Sequence, residues 1–183
     1  MNILMKKLAI VTILFVGALT IGEANAAENF TPYVDGSKTF LEIKDVNRQA
    51  EAWAICAATY DVMAQILSEF QSERAQQLRD LAKGAKLTVI MTIASDGLDP
   101  DITQERFNAL WAMAELAGTE LSSTMRTMLA ADAESSTGKD AEVFIGNLSA
   151  TMEICFKNLR GQRMYIDSWR ELAKSGKLQL PIE

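Results

Sequence analysis

Apolar residues between Val46 and Ile93 recur with a helical period, with no proline and only Gly84 as a glycine along the way. Trp53, Cys56, Tyr60, Met63, Leu67 and Phe70 follow one another at intervals of 3, 4, 3, 4 and 3. On a helix of 3.6 residues per turn this gathers all six on one stripe, while Arg48, Glu51, Asp61 and Glu69 fall off it. The polar cluster "SEFQSERAQQ" interrupts the stripe, and Leu78, Ala82, Ala85, Val89 and Ile93 resume it. The pattern predicts two helices with a turn near residues 69–73, although neither glycine nor proline marks the joint.

The next break is explicit. In "SDGLDPD", residues 95–101, Gly97 reads as a helix terminator, Asp99 as an N-cap and Pro100 as the first helical residue. A third stripe follows in Phe107, Leu110, Trp111, Ala114, Ala117, Leu121, Met125 and Met128. "ESSTGKD", residues 134–140, is the third turn. Phe144, Leu148, Met152, Cys155 and Leu159 open a fourth stripe, which Ile166, Trp169 and Leu172 extend toward a C-terminal stop at Gly176. Residues 27–45 contain Pro32 and Gly36 and read as an irregular leader with room for a short helical turn. The leader lacks helical periodicity, so few deep contacts are expected of it and residues 27–38 should be dispensable. Residues 177–183 read as a tail.

Four amphipathic helices with short connections imply antiparallel neighbours. The fold class expected for residues 46–176 is therefore all-α, an antiparallel up-down-up-down four-helix bundle.

The chain has two cysteines, and this topology places them. With a turn near residue 70, Cys56 lies about 14 residues, or ~21 Å, below the top of the first helix. Cys155 lies about 16 residues, or ~24 Å, below the start of the fourth. The two levels agree within one turn on adjacent antiparallel helices. A disulfide joining Cys56 to Cys155 is expected, tying helix 1 to helix 4. Two free buried cysteines or a redox-active pair are the alternatives. Reactive pairs sit in electropositive, partly exposed settings, whereas Ile55, Ala57, Ile154 and Phe156 flank these two.

The first 26 residues supply a compartment to match. Lys6 and Lys7 precede an uncharged, mostly apolar run from Leu8 to Ile21, and Ala24-Asn25-Ala26 is a small-x-small cleavage signal. This is the layout of a secretory signal peptide, and the run falls short of the ~20 residues a spanning helix needs. Residues 1–26 are thus expected to be removed on export to the periplasm or beyond, leaving no stable membrane anchor. Disulfides form in such oxidising compartments. Without Lys6, Lys7 and Glu23, 16 basic and 23 acidic residues remain, with no basic block to track a phosphate backbone. Nucleic acid is not an expected partner.

Candidate chemistry is sparse. The sequence has no histidine, which removes Ser-His-Asp and Cys-His nucleophile systems and the carboxylate–histidine sites of di-iron bundles. No C-x-x-C-H, G-x-x-x-x-G-K-[ST] or G-x-G-x-x-G occurs. No catalytic residue, cofactor or metal ligand is assigned. Asp96, Asp99 and Asp101 could offer oxygens to calcium, but Gln104 would stand where the EF-hand loop requires glycine, and helix capping explains them better. Met125 and Met128 could offer thioethers to Cu(I), but core packing explains them better. Asn29 and Asn147 head N-x-[ST] triplets, the second inside a predicted helix.

Three classes of function are compatible with such a scaffold. The first is a non-catalytic exported interaction protein, an inhibitor, adaptor or immunity-type factor binding another protein. The second is a bundle holding a small apolar ligand among Met and Trp side chains. The third, an enzyme working with carboxylates alone, has the least behind it.

Overall fold

The computed structural model describes residues 30–176 and Gln179. Residues 1–26, expected from sequence to be a signal peptide, and most of the tail lie outside these residues. A 3-10 turn at Phe40–Glu42 precedes four helices: α1 Val46–Leu67, α2 Ser72–Ser95, α3 Gln104–Ser135 and α4 Lys139–Lys174. The fold is all-α, and a Cys56–Cys155 disulfide joins α1 to α4. The chain reverses between successive helices. Phe107 and Trp111, at the start of α3, accordingly pack on Trp169 near the end of α4, with ring centroids 6.2 and 5.5 Å away.

Asp45 caps α1 by accepting a 3.0 Å hydrogen bond from Arg48 N–H. Trp53, Cys56, Tyr60, Met63 and Leu67 are buried, as the stripe requires, yet the stripe is too narrow a description. Every residue from Ala52 to Tyr60 is buried. Alanines at 50, 52, 54, 57, 58 and 64 cover the remaining faces, so neighbouring helices can press on α1 from all sides. Phe70, assigned to the same stripe, lies past the end of the helix and is exposed. The joint between α1 and α2 falls where the pattern lapses. Gln71 N–H still donates to Leu67 O at 2.8 Å, and the chain turns away at Gln71 with φ −142° and ψ 68°.

The start of α3 departs from the sequence reading. Its cap is Thr103, whose Oγ1 accepts from Arg106 N–H at 3.3 Å. Asp99 instead closes a local turn by accepting from Asp101 N–H at 2.9 Å. Leu98 and Ile102 are partly buried against the cluster of Phe107, Trp111 and Trp169, which holds residues 98–102 out of the helix. Gly97 is not in the left-handed region, and Leu110 packs where its side chain would be. Gly176, by contrast, has φ +71° and ends α4 as expected.

The buried row of α3 also shifts by one position midway. Ala117 and Met128 are exposed, Leu121 and Met125 are half-buried, and the row runs Phe107, Trp111, Ala114, Gly118, Ser122 and Leu129. A Cβ at Gly118 would stand 3.0 Å from Ile90 Cγ1 and 3.3 Å from Val89 Cγ1. The missing side chain lets α3 lie close against α2.

The leader is packed, contrary to the expectation that it makes few deep contacts. Thr31 N–H donates to Asn147 Oδ1 at 2.8 Å, Tyr33 N–H to Thr151 Oγ1 at 2.9 Å, and Phe40 N–H to Asn158 Oδ1 at 2.8 Å. The three acceptors lie on one face of α4, so the extended leader uses that face in place of a strand partner. Val34 and Phe40 are buried, and Phe40 meets Trp53 edge-on with centroids 4.8 Å apart. Gly146 makes room for the Phe30 ring, which would collide with any Cβ there. A strap with two widely spaced buried side chains and borrowed hydrogen bonds has no helical period to announce it.

Candidate functional site

Among the residues singled out from sequence, the structure brings Cys56 and Cys155 together. Their Cα atoms are 5.6 Å apart, and each residue is 1% exposed. The bridge is enclosed by the main core cluster, which leaves neither thiol free. The other candidates stay apart from any shared chemistry. Asp99 is occupied by its local turn. Met125 is packed against the core, whereas Met128, three positions on, is exposed. Asn147 lies in α4 with its carbonyl oxygen taken by Thr31. Among the described residues no group of three cysteine, aspartate or glutamate side chains converges as a metal site would require.

Two features that the sequence reading did not single out stand out on the surface. The first is a recess of about 170 Å³ between α2 and α3. Lys86 and Ile90 form its α2 wall, and Gly118, Thr119, Ser122, Ser123 and Arg126 form the other. Lys86 Nζ is held 2.7 Å from Asp61 Oδ2 of α1. Ser122 is 4% exposed, and its hydroxyl has no hydrogen-bond partner among the described residues. Leaving a hydroxyl buried and unpaired costs about 1–3 kcal/mol. A hydrophobicity pattern could not have found this place, because its markers are a glycine and a serine at core positions.

The second feature is the outward face of α3. Ala109, Ala112, Met113, Leu116 and Ala117 are all exposed and neighbour one another at helical spacing. Met113 is 64% exposed and Leu116 is 72% exposed. Glu105 and Arg106 bound this face at one end and Glu120 at the other, with Glu115 at its edge. Single exposed apolar residues are commonplace, but two large ones with a floor of alanines form a contiguous patch. A wider recess at the α1–α2 turn is walled only by residues of the one segment 70–77 and encloses nothing.

Three further buried polar groups lack partners among the described residues: Trp53 Nε1, Thr59 Oγ1 and the Tyr60 hydroxyl. Burial pushes the Tyr60 hydroxyl far above its ordinary ionisation range. The Tyr33 hydroxyl is raised as well, by burial first and then by its hydrogen bond to the Asp132 carboxylate. Both groups are held in their neutral form.

Comparison with protein-family models, with curated proteins and with solved structures finds no match to this chain.

Proposed function

We propose that this chain is an exported, non-catalytic bundle that acts by binding another protein through the outer face of α3. The observation that carries this reading is the exposure, side by side, of Met113 and Leu116, the two most exposed large apolar side chains among the described residues. The partner it fits presents apolar side chains ringed by basic groups. Glu105, Glu115 and Glu120 surround the patch, and the chain as a whole carries a net charge of −6. Two copies meeting face to face would bring six glutamates together with only two arginines, the Arg106 pair, which favours a different partner over a second copy.

Export rests on the signal-like residues 1–26, and a disulfide in the core is compatible with an oxidising compartment. Among the described residues no helix is long and apolar enough to cross a membrane. The apolar-ligand reading draws less support. The three tryptophans are packed into the core, and the recess between α2 and α3 lies below the ~300 Å³ at which ligand pockets usually begin.

The test is affinity co-purification from the producing organism, with Leu116→Asp as the control variant. The wild type should bring down one defined protein that the variant, equally helical and still disulfide-bonded, does not. Equal capture by both would remove α3 from the contact. Concentration-dependent self-association that Leu116→Asp abolishes would make the occupant a second copy and overturn the proposal.

A further inference from the structure

The recess between α2 and α3 runs against the charge balance of the chain. Acids outnumber bases 24 to 18 overall, yet no acidic residue lines the recess, whereas Lys86 and Arg126 both do. Asp61, behind Lys86, engages one of its three ammonium donors. Arg126 is exposed and makes no ion pair among the described residues, so a positive charge is left over at the mouth.

The hydroxyl at the back of the recess points the same way. Helical serines and threonines commonly return their hydroxyls to a carbonyl one turn back. On α2, Thr88 does so to Gly84 O at 2.9 Å and Thr92 to Thr88 O at 2.7 Å. Ser122 does not, and its hydroxyl lies unpaired among the described residues, enclosed in the wall of the recess. Gly118, one turn before it, contributes no side chain that could fill the space.

We propose that this recess binds a small tetrahedral oxyanion of the phosphate class. Arg126 and Lys86 would grip it from opposite walls, and Ser122 would donate from behind. The cations supply charge-assisted donors, and the arginine fork suits two oxygens at once. The space of about 170 Å³ admits such an ion with a few waters. This site is distinct from Met113 and Leu116, so it stands or falls separately from the protein-binding reading.

The test is an amide NMR titration of the disulfide-bonded protein with inorganic phosphate, ionic strength held constant with chloride. Saturating shifts should centre on residues 86–90 and 118–126. Arg126→Gln should weaken binding about tenfold, and Ser122→Ala severalfold without lowering the melting temperature. Glycerol phosphate and vesicles of phosphatidylglycerol form a second arm. Saturable binding of the soluble anions alone identifies a free ion, and added vesicle binding that Arg126→Gln abolishes identifies a lipid headgroup. Shifts that fail to saturate, or that spread equally over Arg74 and Arg79, would overturn the proposal. So would acetate binding as tightly as phosphate, or both variants binding like the wild type.

Discussion

Tyr33 donates its hydroxyl to the Asp132 carboxylate, fastening the leader to the last turns of α3 across 99 positions of sequence. The same leader is bonded through its backbone N–H groups to side chains of α4, so it ties α3 and α4 together.

Removing that strap should cost stability. Tyr33→Phe is expected to lose about 1–2 kcal/mol, the low end for a hydrogen bond to a charged group because the pair is only part-buried. Phe40→Ala, which empties a wholly buried ring site against Trp53, should lose about 3–5 kcal/mol. Urea denaturation of the oxidised protein measures both. Deleting residues 30–38 without a loss larger than that of Tyr33→Phe would return the leader to the status of a tail.

Alkaline pH should unfold the protein earlier than its acidic composition suggests. Tyr33 and Tyr60 both hold their protons in the folded state to higher pH than an unfolded tyrosine does. Below about pH 10 neither state ionises them, and their contribution is constant. Above it the unfolded chain releases these protons first, so stability falls as pH rises. Tyr60→Phe should flatten that fall in melting temperature measured between about pH 9 and 11.

The Cys56–Cys155 bridge should resist reduction until the fold opens, since both residues are enclosed. Thiol-reactive dye should report reduction far more slowly in native buffer than in denaturant at equal reductant. Reduced protein should keep its helical circular dichroism but melt lower, by up to about 4.7 kcal/mol of stability for a loop of this length. Non-reducing peptide mapping should recover "AICAATYD" joined to "MEICFK". Two alkylatable thiols in the native protein would contradict the bond.

Where α3 begins can be tested by its cap. Thr103→Ala should cost about 1 kcal/mol, the usual toll for a lost N-cap. Asp99→Ala should cost less, because its bond to Asp101 N–H closes an exposed turn. The reverse order would restore Asp99 and Pro100 to the helix start.

That contrast shows what the sequence made legible. The α1–α2 joint, the Gly176 stop and the pairing of Cys56 with Cys155 all follow from helical period and rise, which act locally or along a rigid rod. The start of α3 does not, since Leu98 and Ile102 are drawn into an apolar cluster whose members come from α2, α3 and α4. The leader was missed because its hydrogen-bond partners are side chains more than a hundred residues away. On α3 the pattern favoured Ala117 over Gly118 and Leu121 over Ser122. Apolarity was the wrong index where closeness to α2 mattered more.

The covalent link between α1 and α4 also decides how the molecule carries load. Force applied to residues on either side of the bridge passes directly through the sulfur atoms and bypasses the 99-position loop they close. Among the described residues, the leader, the front of α1 and the back of α4 can lengthen under tension while the bond holds, and the loop cannot. Lys86, Met113, Leu116, Ser122 and Arg126 all belong to the sheltered loop. A partner gripping α3, or an ion seated beside it, would therefore be held on the part of the chain that pulling reaches last.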